Sequence, residues 1–267
     1  MVKTKILITG GTGFVGYHLA KKCLSLNWKV ESLSSKNPVY SRRLKKVKYL
    51  KCDITHPKKL KQILSKNYDY IVNLAGYVDH SNKAKTMKSH YLGCQNLAKI
   101  FLNSKIKKFV QIGSSIEYGK RSSPQLENIN NKKTYSVYGK AKLLSTKMLL
   151  KFHKDYNFPA TIIRLYLVYG PKQDTNRLIP ITIINALKKN KFDCSHGNQI
   201  RDFIHVSDVV RSIIKVLKHK KSKGQIFNIG SGKQIKVKEI INKICKIVGS
   251  GEPKFGKIKI RKDEISK

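Results

Sequence analysis

Tyr138 and Lys142 stand four residues apart in Tyr138-Gly139-Lys140-Ala141-Lys142. On a helix that spacing turns both side chains to one face. An ammonium beside a phenol favours the phenolate, lowers its pKa and makes the tyrosine a usable acid/base group. Upstream, Ile112-Gly113-Ser114-Ser115 closes an apolar run of strand length. A hydroxyl at that rim could hydrogen-bond the oxygen whose proton Tyr138 handles. Ser114, Tyr138 and Lys142 are the candidate catalytic set. The bland alternative is a surface Tyr/Lys pair and an ordinary strand-end serine. The order of the motifs argues against it.

That order begins with Lys5-Ile6-Leu7-Ile8-Thr9, then Gly10-Gly11-Thr12-Gly13-Phe14-Val15-Gly16. An apolar strand runs into a glycine-rich turn, and a helical apolar pattern (Phe14, Val15, Leu19, Leu24) leaves it. This is the context of a dinucleotide-phosphate loop. Gly10 permits the tight turn, Gly13 clears the approach of a pyrophosphate, and Gly16 lets the helix lie close to its strand.

The elements that position these residues alternate. Strands are predicted at 5–9, 29–33, 47–52, 70–75, 108–113 and 160–168. Helices lie between most of them, notably over 82–103 and 136–156. Such alternation predicts an α/β fold, a doubly wound parallel sheet of Rossmann type. Residues 1–170 are read as the dinucleotide-binding domain. Residues 171–267 are read as a smaller mixed α/β substrate lobe, with a helix at 178–188, a strand at 199–206, a helix at 209–217, a strand at 226–229 and a helix at 237–248. A long polar loop at 120–134 sits between a strand end and a helix, where active-site loops occur.

Composition narrows the class. The chain has 267 residues, 40% of them hydrophobic, enough for a substantial core. No apolar run reaches membrane-span length, the N-terminus leads straight into a strand without a signal peptide, and the five dispersed cysteines suit reduced thiols. A cytoplasmic protein is expected. The formal net charge of +41 could signal nucleic-acid binding. However, only eight of the 56 basic residues are arginine, and the lysines run from Lys3 to Lys267 without a basic tail. The charge reads as a solvated lysine-rich surface that attracts polyanionic small substrates, and nucleic acid is not an expected partner.

The chain resembles the extended short-chain dehydrogenases/reductases of the NAD(P)-dependent nucleotide-sugar epimerase/dehydratase family. The resemblance rests on Gly10, Gly13 and Gly16; Asp53-Ile54; Asn73-Leu74-Ala75-Gly76; Ser114 to Gly119; Tyr138 and Lys142; Arg164 to Pro171; Asn176 to Pro180; Arg201 to Val209; and Phe227 to Gly232. It implies a cofactor site of Gly10, Gly13, Phe14, Val15, Gly16, Ser34, Asp53, Ile54, Ala75, Gly76, His90, Tyr138 and Lys142. Asp53 and Ile54 would meet the adenine, and Ala75 and Gly76 would pass under the pyrophosphate and ribose. It implies a nucleoside-diphosphate sugar as substrate, held by Ser115, Asn176, Leu178, Arg201, Arg261 and Glu264. Arginine suits a diphosphate because its fork grips two oxygens. It also implies a homodimer through the helices at 82–103 and 136–156.

Departures from the family pattern shape the expectation. Relatives that dehydrate sugars carry an Asp-Glu pair where Ser115 and Ile116 stand, and isoleucine cannot act as a base. Ser34 occupies the strand end where NAD-specific relatives place an acid, with Lys36, Arg42 and Arg43 following. The cofactor is NADP or NAD, and this cationic run leans the reading to NADP, although Glu31 would reverse it in another register. An asparagine is common where His90 and Leu167 stand. The chain also ends sooner after Arg261 than its relatives do, and a substrate lobe truncated at its last elements is the expectation. The expected activity is reduction of a 4-keto-6-deoxy-sugar nucleotide at C4. A nucleotide-sugar 4-epimerase is the alternative, and a non-catalytic dinucleotide-binding or RNA-associated protein is the alternative of another class.

Overall fold

The computed structural model describes residues 3–79, 82–121, 123–128 and 134–259. Its first half is strand and helix in turn: β1 (Lys5–Thr9), α1 (Phe14–Ser25), β2 (Lys29–Ser34), β3 (Val47–Lys51), α2 (Pro57–Ile63), β4 (Tyr70–Asn73), α3 (Lys83–Met87), α4 (Gly93–Phe101), β5 (Lys108–Ser114), α5 (Val137–Tyr156) and β6 (Ala160–Leu165). Then follow β7 (Leu167–Tyr169), α6 (Leu178–Leu187), β8 (Lys191–Asp193), β9 (Ile200–Arg201), β10 (Phe203–His205), α7 (Val206–Lys218), β11 (Ile226–Ile229), β12 (Ile235–Lys236), α8 (Val237–Val248) and β13 (Glu252–Lys254).

Seven strands form one sheet in the order β11-β6-β5-β4-β1-β2-β3, and every pairing is parallel. Alternate residues of each strand face opposite sides, so the sheet has two cores. Ile6, Ile8, Val30, Val72, Val110 and Ile163 pack with α1 and α7 on one side. Leu7, Leu33, Ile71, Phe109 and Ile162 pack with α2, α4 and α5 on the other. The order in which the chain adds strands reverses between β1 and β4, which opens a crevice at the carboxyl ends of the strands.

The sequence boundary at 170 does not coincide with a structural one. β11 completes the main sheet beside β6, and Val209, Val210, Ile213 and Ile214 of α7 cover one of its faces. A separate small core of Cys194, Val237 and Ile241, with Leu178 and Phe192, joins α6, α8 and the short β8–β13 pair.

Three expected elements divide. The strand at 160–168 splits because the Tyr166 N–H donates to Ile229 O (3.3 Å) and the Leu167 N–H to Asp202 O (3.0 Å). β7 therefore leaves the sheet and pairs with β10. The strand at 199–206 divides into β9, which pairs with β12, and β10. The helix at 82–103 is interrupted by a π-turn over Lys88–Leu92, and π-turns inside helices frequently mark functional positions. Helix α7 starts at Val206, three residues early, because the His205 side chain accepts from the Ser207 N–H and caps it.

Lys108 on β5 is buried at 2% exposure, its ammonium donating to His219 O (3.1 Å) and Ser222 Oγ (2.7 Å). Burial pulls its pKa down to about 8. Between about pH 8 and 10 the unfolded chain then holds more protons at this site than the native one, so the site's contribution to stability rises with pH. Lys108→Met should be stabilised most relative to the parent at pH 7, with the advantage shrinking toward pH 10 in chemical denaturation. An advantage that is constant with pH would show that burial does not lower the pKa of Lys108 on folding.

Candidate active site

The glycine turn lies where β1 ends. Gly10 has φ +72°, and a Cβ there would stand 2.9 Å from the Ala75 nitrogen. A Cβ on Gly16 would overlap the Gly10 carbonyl, so α1 can approach the loop only with glycine. Gly13 caps α1 without any side chain over the helix end, and Phe14 and Val15 turn their side chains into the core. The first N–H groups of α1 consequently face the crevice with the positive end of the helix, a ready anion site. Ser34 ends β2, and its buried Oγ, like that of Ser32 beneath Gly11, has no hydrogen-bond partner. A bare helix end, a glycine cradle and two orphaned hydroxyls fit the pyrophosphate and ribose of a dinucleotide.

Other expected cofactor residues fall around this crevice in different ways. Asp53 is exposed, and its Oδ1 accepts from the Thr55 N–H (2.8 Å). Ile54 is buried in the core against Gly93, and only its carbonyl, bonded to Asn96 Nδ2 (3.1 Å), keeps a polar contact. Ala75 and Gly76 follow β4, and a Cβ on Gly76 would run into the His90 ring. His90 lies on the π-turn, reaches Tyr77 O (3.1 Å) and meets the Tyr138 ring edge-on at 4.9 Å. Glu31 points away from the crevice, taking a hydrogen bond from Tyr68 Oη (2.5 Å) and a salt bridge from Lys5 (3.0 Å). Arg42 also departs from its expected place beside Ser34. It donates to Lys172 O (2.8 Å) and pairs with Asp174 across the crevice, while Lys172 donates to Ser41 O. Lys36 and Arg43 alone of the expected cationic run stay exposed.

At the catalytic end, α5 lies over β5 and brings its i, i+4 face to the strand's carboxyl end. Tyr138 shares a side-chain hydrogen bond with Ser114. Lys142 is buried, its Nζ 5.7 Å from the Tyr138 ring centre and donating to Ile112 O (2.6 Å). The expectation that Lys142 lowers the phenol's pKa is corrected. Burial pushes Tyr138 up to about 12, against the pull of the Ser114 hydrogen bond and of Arg177, and with a push from Glu117. Burial likewise brings Lys142 down to about 8. At neutral pH burial therefore holds Tyr138 as a phenol.

The expected substrate residues are less gathered. Ser115 opens a 3-10 turn just after Ser114. Asn176 is exposed in a pocket of about 470 Å³ with Arg42, Val78, Lys172 and Arg177, and Leu178 begins α6. Arg201 is half-buried on β9, and its Nη1 donates to Ile200 O (2.8 Å). Arg261 and Glu264 lie outside the described residues. Sequence reasoning missed Glu117, Thr146, Arg164 and Arg177 as parts of the site. Arg177 is close enough to bias Tyr138, although it stands 39 positions along the chain. Among the described residues no group of three His, Cys, Asp or Glu could hold a metal ion, and no helix is long and apolar enough to cross a membrane.

The chain matches the model of the NAD dependent epimerase/dehydratase family over residues 6–230. It is 30% identical over 272 residues to a dTDP-D-glucose 4,6-dehydratase of Dictyostelium discoideum, covering 91% of this chain and 62% of that protein. It therefore spans less than two thirds of that relative's length. Its fold is similar to a UDP-glucose 4-epimerase of Thermotoga maritima solved with UDP-glucose (TM-score 0.90, 23% identity, 98% of this chain and 88% of the other). It is similar also to the dTDP-glucose 4,6-dehydratase DesIV of Streptomyces venezuelae, solved with NAD bound (TM-score 0.88, 22% identity, 98% and 87%).

Gly16→Ala should destabilise the protein by roughly 1–3 kcal/mol, the cost of forcing an atom into a filled contact. The better helix propensity of alanine returns at most about 1 kcal/mol. Urea denaturation measures the balance, and an unchanged or raised midpoint would contradict the close loop-to-helix contact.

Proposed function

We propose that this chain, which belongs to the NAD dependent epimerase/dehydratase family, moves a hydride at C4 of a sugar carried on a nucleoside diphosphate. The observation that carries this reading is the meeting of Ser114, Tyr138 and Lys142 at the rim beside the glycine loop. Gly10, Gly13 and Gly16 with the bare start of α1 hold the pyrophosphate, and Ala75, Gly76 and His90 line the path from there to Tyr138. Bound nicotinamide supplies or takes the hydride. Ser114 hydrogen-bonds the reacting sugar oxygen and Tyr138 gives or takes its proton. In the reducing direction Tyr138 donates as the phenol that burial maintains. In the oxidising direction it must lose that proton first, and Arg177 favours the phenolate. Asn176, Leu178 and Arg201 hold the nucleotide portion, and the surplus of positive charge draws the diphosphate in.

Dehydration is disfavoured because Ser115 and Ile116 offer no acid or base beside Ser114. Between the remaining outcomes, the Arg42–Asp174 and Lys172–Ser41 bridges favour a retained cofactor and hence a 4-epimerase, which oxidises and re-reduces within one site. They also take Arg42 from any 2′-phosphate, which favours NAD over the NADP suggested by the sequence. A 4-keto-sugar reductase using NADPH is the second reading, favoured by the neutral Ser34 and by apolar Leu167, 44% exposed. The proposed assembly is a homodimer through the helices at 82–103 and 136–156.

Protein as purified should release NAD on denaturation, read by mass spectrometry, and interconvert UDP-glucose and UDP-galactose without added cofactor. Bound NADP, or activity only on 4-keto sugars with added NADPH, would select the reductase. Tyr138→Phe should lose at least about 100-fold in kcat, the scale of general acid/base catalysis, while cofactor affinity stays near the parent's. Full activity in that variant would sink the proposed chemistry.

A further inference from the structure

Outside the described chemistry the protein carries a lysine-lined groove between α2 and α4, exposed apolar residues on α6 and α8, and an ion pair between Glu117 and Arg164 that is buried at both ends. Glu117 is fully buried and Arg164 is 2% exposed, with Arg164 Nε 3.1 Å from Glu117 Oε2. A buried carboxylate is costly to desolvate and persists only where its oxygens are satisfied. Here Oε1 accepts from the Ser114 N–H (2.9 Å), and Oε2 also accepts from Thr146 Oγ1 (2.8 Å).

The partners come from three elements. Ser114 ends β5, Arg164 lies on β6 and Thr146 lies on α5. Thr146 follows Tyr138 and Lys142 at i, i+4, i+8, so all three share one face of the helix. One carboxylate is thus bonded both to the backbone of the serine and to the helix that carries the tyrosine and lysine. The geometry leaves it no slack. A Cβ on Gly113 would strike Glu117 Oε1, and Arg164 is held in turn over the Tyr118 ring at 4.4 Å, whose hydroxyl donates to Asn228 (2.8 Å).

We infer that Glu117 is a positioning residue, which sets the placement of Ser114 against Tyr138 and Lys142 by clamping the end of β5 to α5. The inference rests on the reading of Ser114, Tyr138 and Lys142 as the reacting site. The charged and titratable groups around this assembly are Arg164 on β6, Tyr138 and Lys142 on α5, Cys94 on α4, His90 on the π-turn, Tyr118 and Arg177. Glu117's negative charge pushes both Tyr138 and Lys142 upward, so its removal lets both titrate at lower pH.

The test compares Glu117→Gln, Thr146→Val and Tyr138→Phe in the holoenzyme with UDP-glucose. Glu117→Gln should lose roughly tenfold or more in kcat, the scale of a slightly misplaced reacting group, while KM and NAD affinity stay near the parent's. Its pH profile of kcat should move to lower pH. Thr146→Val, which removes a clamp without a charge, should lower kcat by less and leave the profile in place. A Glu117→Gln protein with the parent's kcat and pH profile, whatever its Tm, overturns the inference. If that variant does not fold, an unchanged kcat in Thr146→Val overturns it. Loss of activity in Tyr138→Phe alongside unaffected clamp variants would refute the clamp alone, whereas an active Tyr138→Phe removes the reading beneath it.

Discussion

Lys142 is a cation enclosed by protein, and the structure around it is organised to make that tolerable. Its ammonium has left water, which costs several kcal/mol unless hydrogen bonds replace the lost hydration. The Ile112 carbonyl provides one at 2.6 Å, and only because α5 lies directly across the end of β5. The same carbonyl accepts from Gln111 Nε2 (3.0 Å), Gln111 Oε1 accepts from Asn73 Nδ2 (2.7 Å), and Asn73 Oδ1 accepts from Thr9 (2.5 Å). A line of satisfied polar groups therefore crosses β5, β4 and β1 inside an otherwise apolar sheet, ending one residue before the glycine turn.

This line joins the two halves of the site. At one end it fixes the strand from which Gly10 turns; at the other it fixes the helix that carries Tyr138. Parallel strands place all these carboxyl ends on one edge, so the glycine turn and the Ser114, Tyr138 and Lys142 side chains share a crevice without any linking loop. Helix α1 meets that edge with a bare N-terminus and α5 with a side-chain face, one offering a partial positive charge and the other a proton donor. Burial works against ionisation at both Tyr138 and Lys142, giving a phenol well above and an amine well below their ordinary values. Opposed shifts of neighbouring groups are a mark of functional sites.

Much of this was legible in the residues. Strands β1 to β6 appear as apolar runs because a parallel sheet covered on both faces leaves few polar positions. The glycine spacing, Ser114, and the Tyr138/Lys142 pair are local patterns, and local patterns survive in a linear reading. The elements overlooked were short or paired at a distance. Strands β8, β12 and β13 have two or three residues, too few to show a period of two, and exist because their partners happen to lie beside them. β7 reads as a continuation of β6, and its departure depends on hydrogen bonds to Ile229 and Asp202, both far along the chain.

The fold class, the glycine turn and the positions of Ser114, Tyr138 and Lys142 are legible in the linear order of residues, since each depends on neighbours within a few residues. What surrounds them follows from packing between elements far apart in the chain. That packing drew Arg42 to Lys172 and Asp174, turned Glu31 toward Tyr68, and buried Glu117 against Arg164, 47 positions away. Charge on a side chain is visible in a sequence, but its partner and its hydration are not. Those depend on which surfaces the sheet brings together and on how much water they exclude.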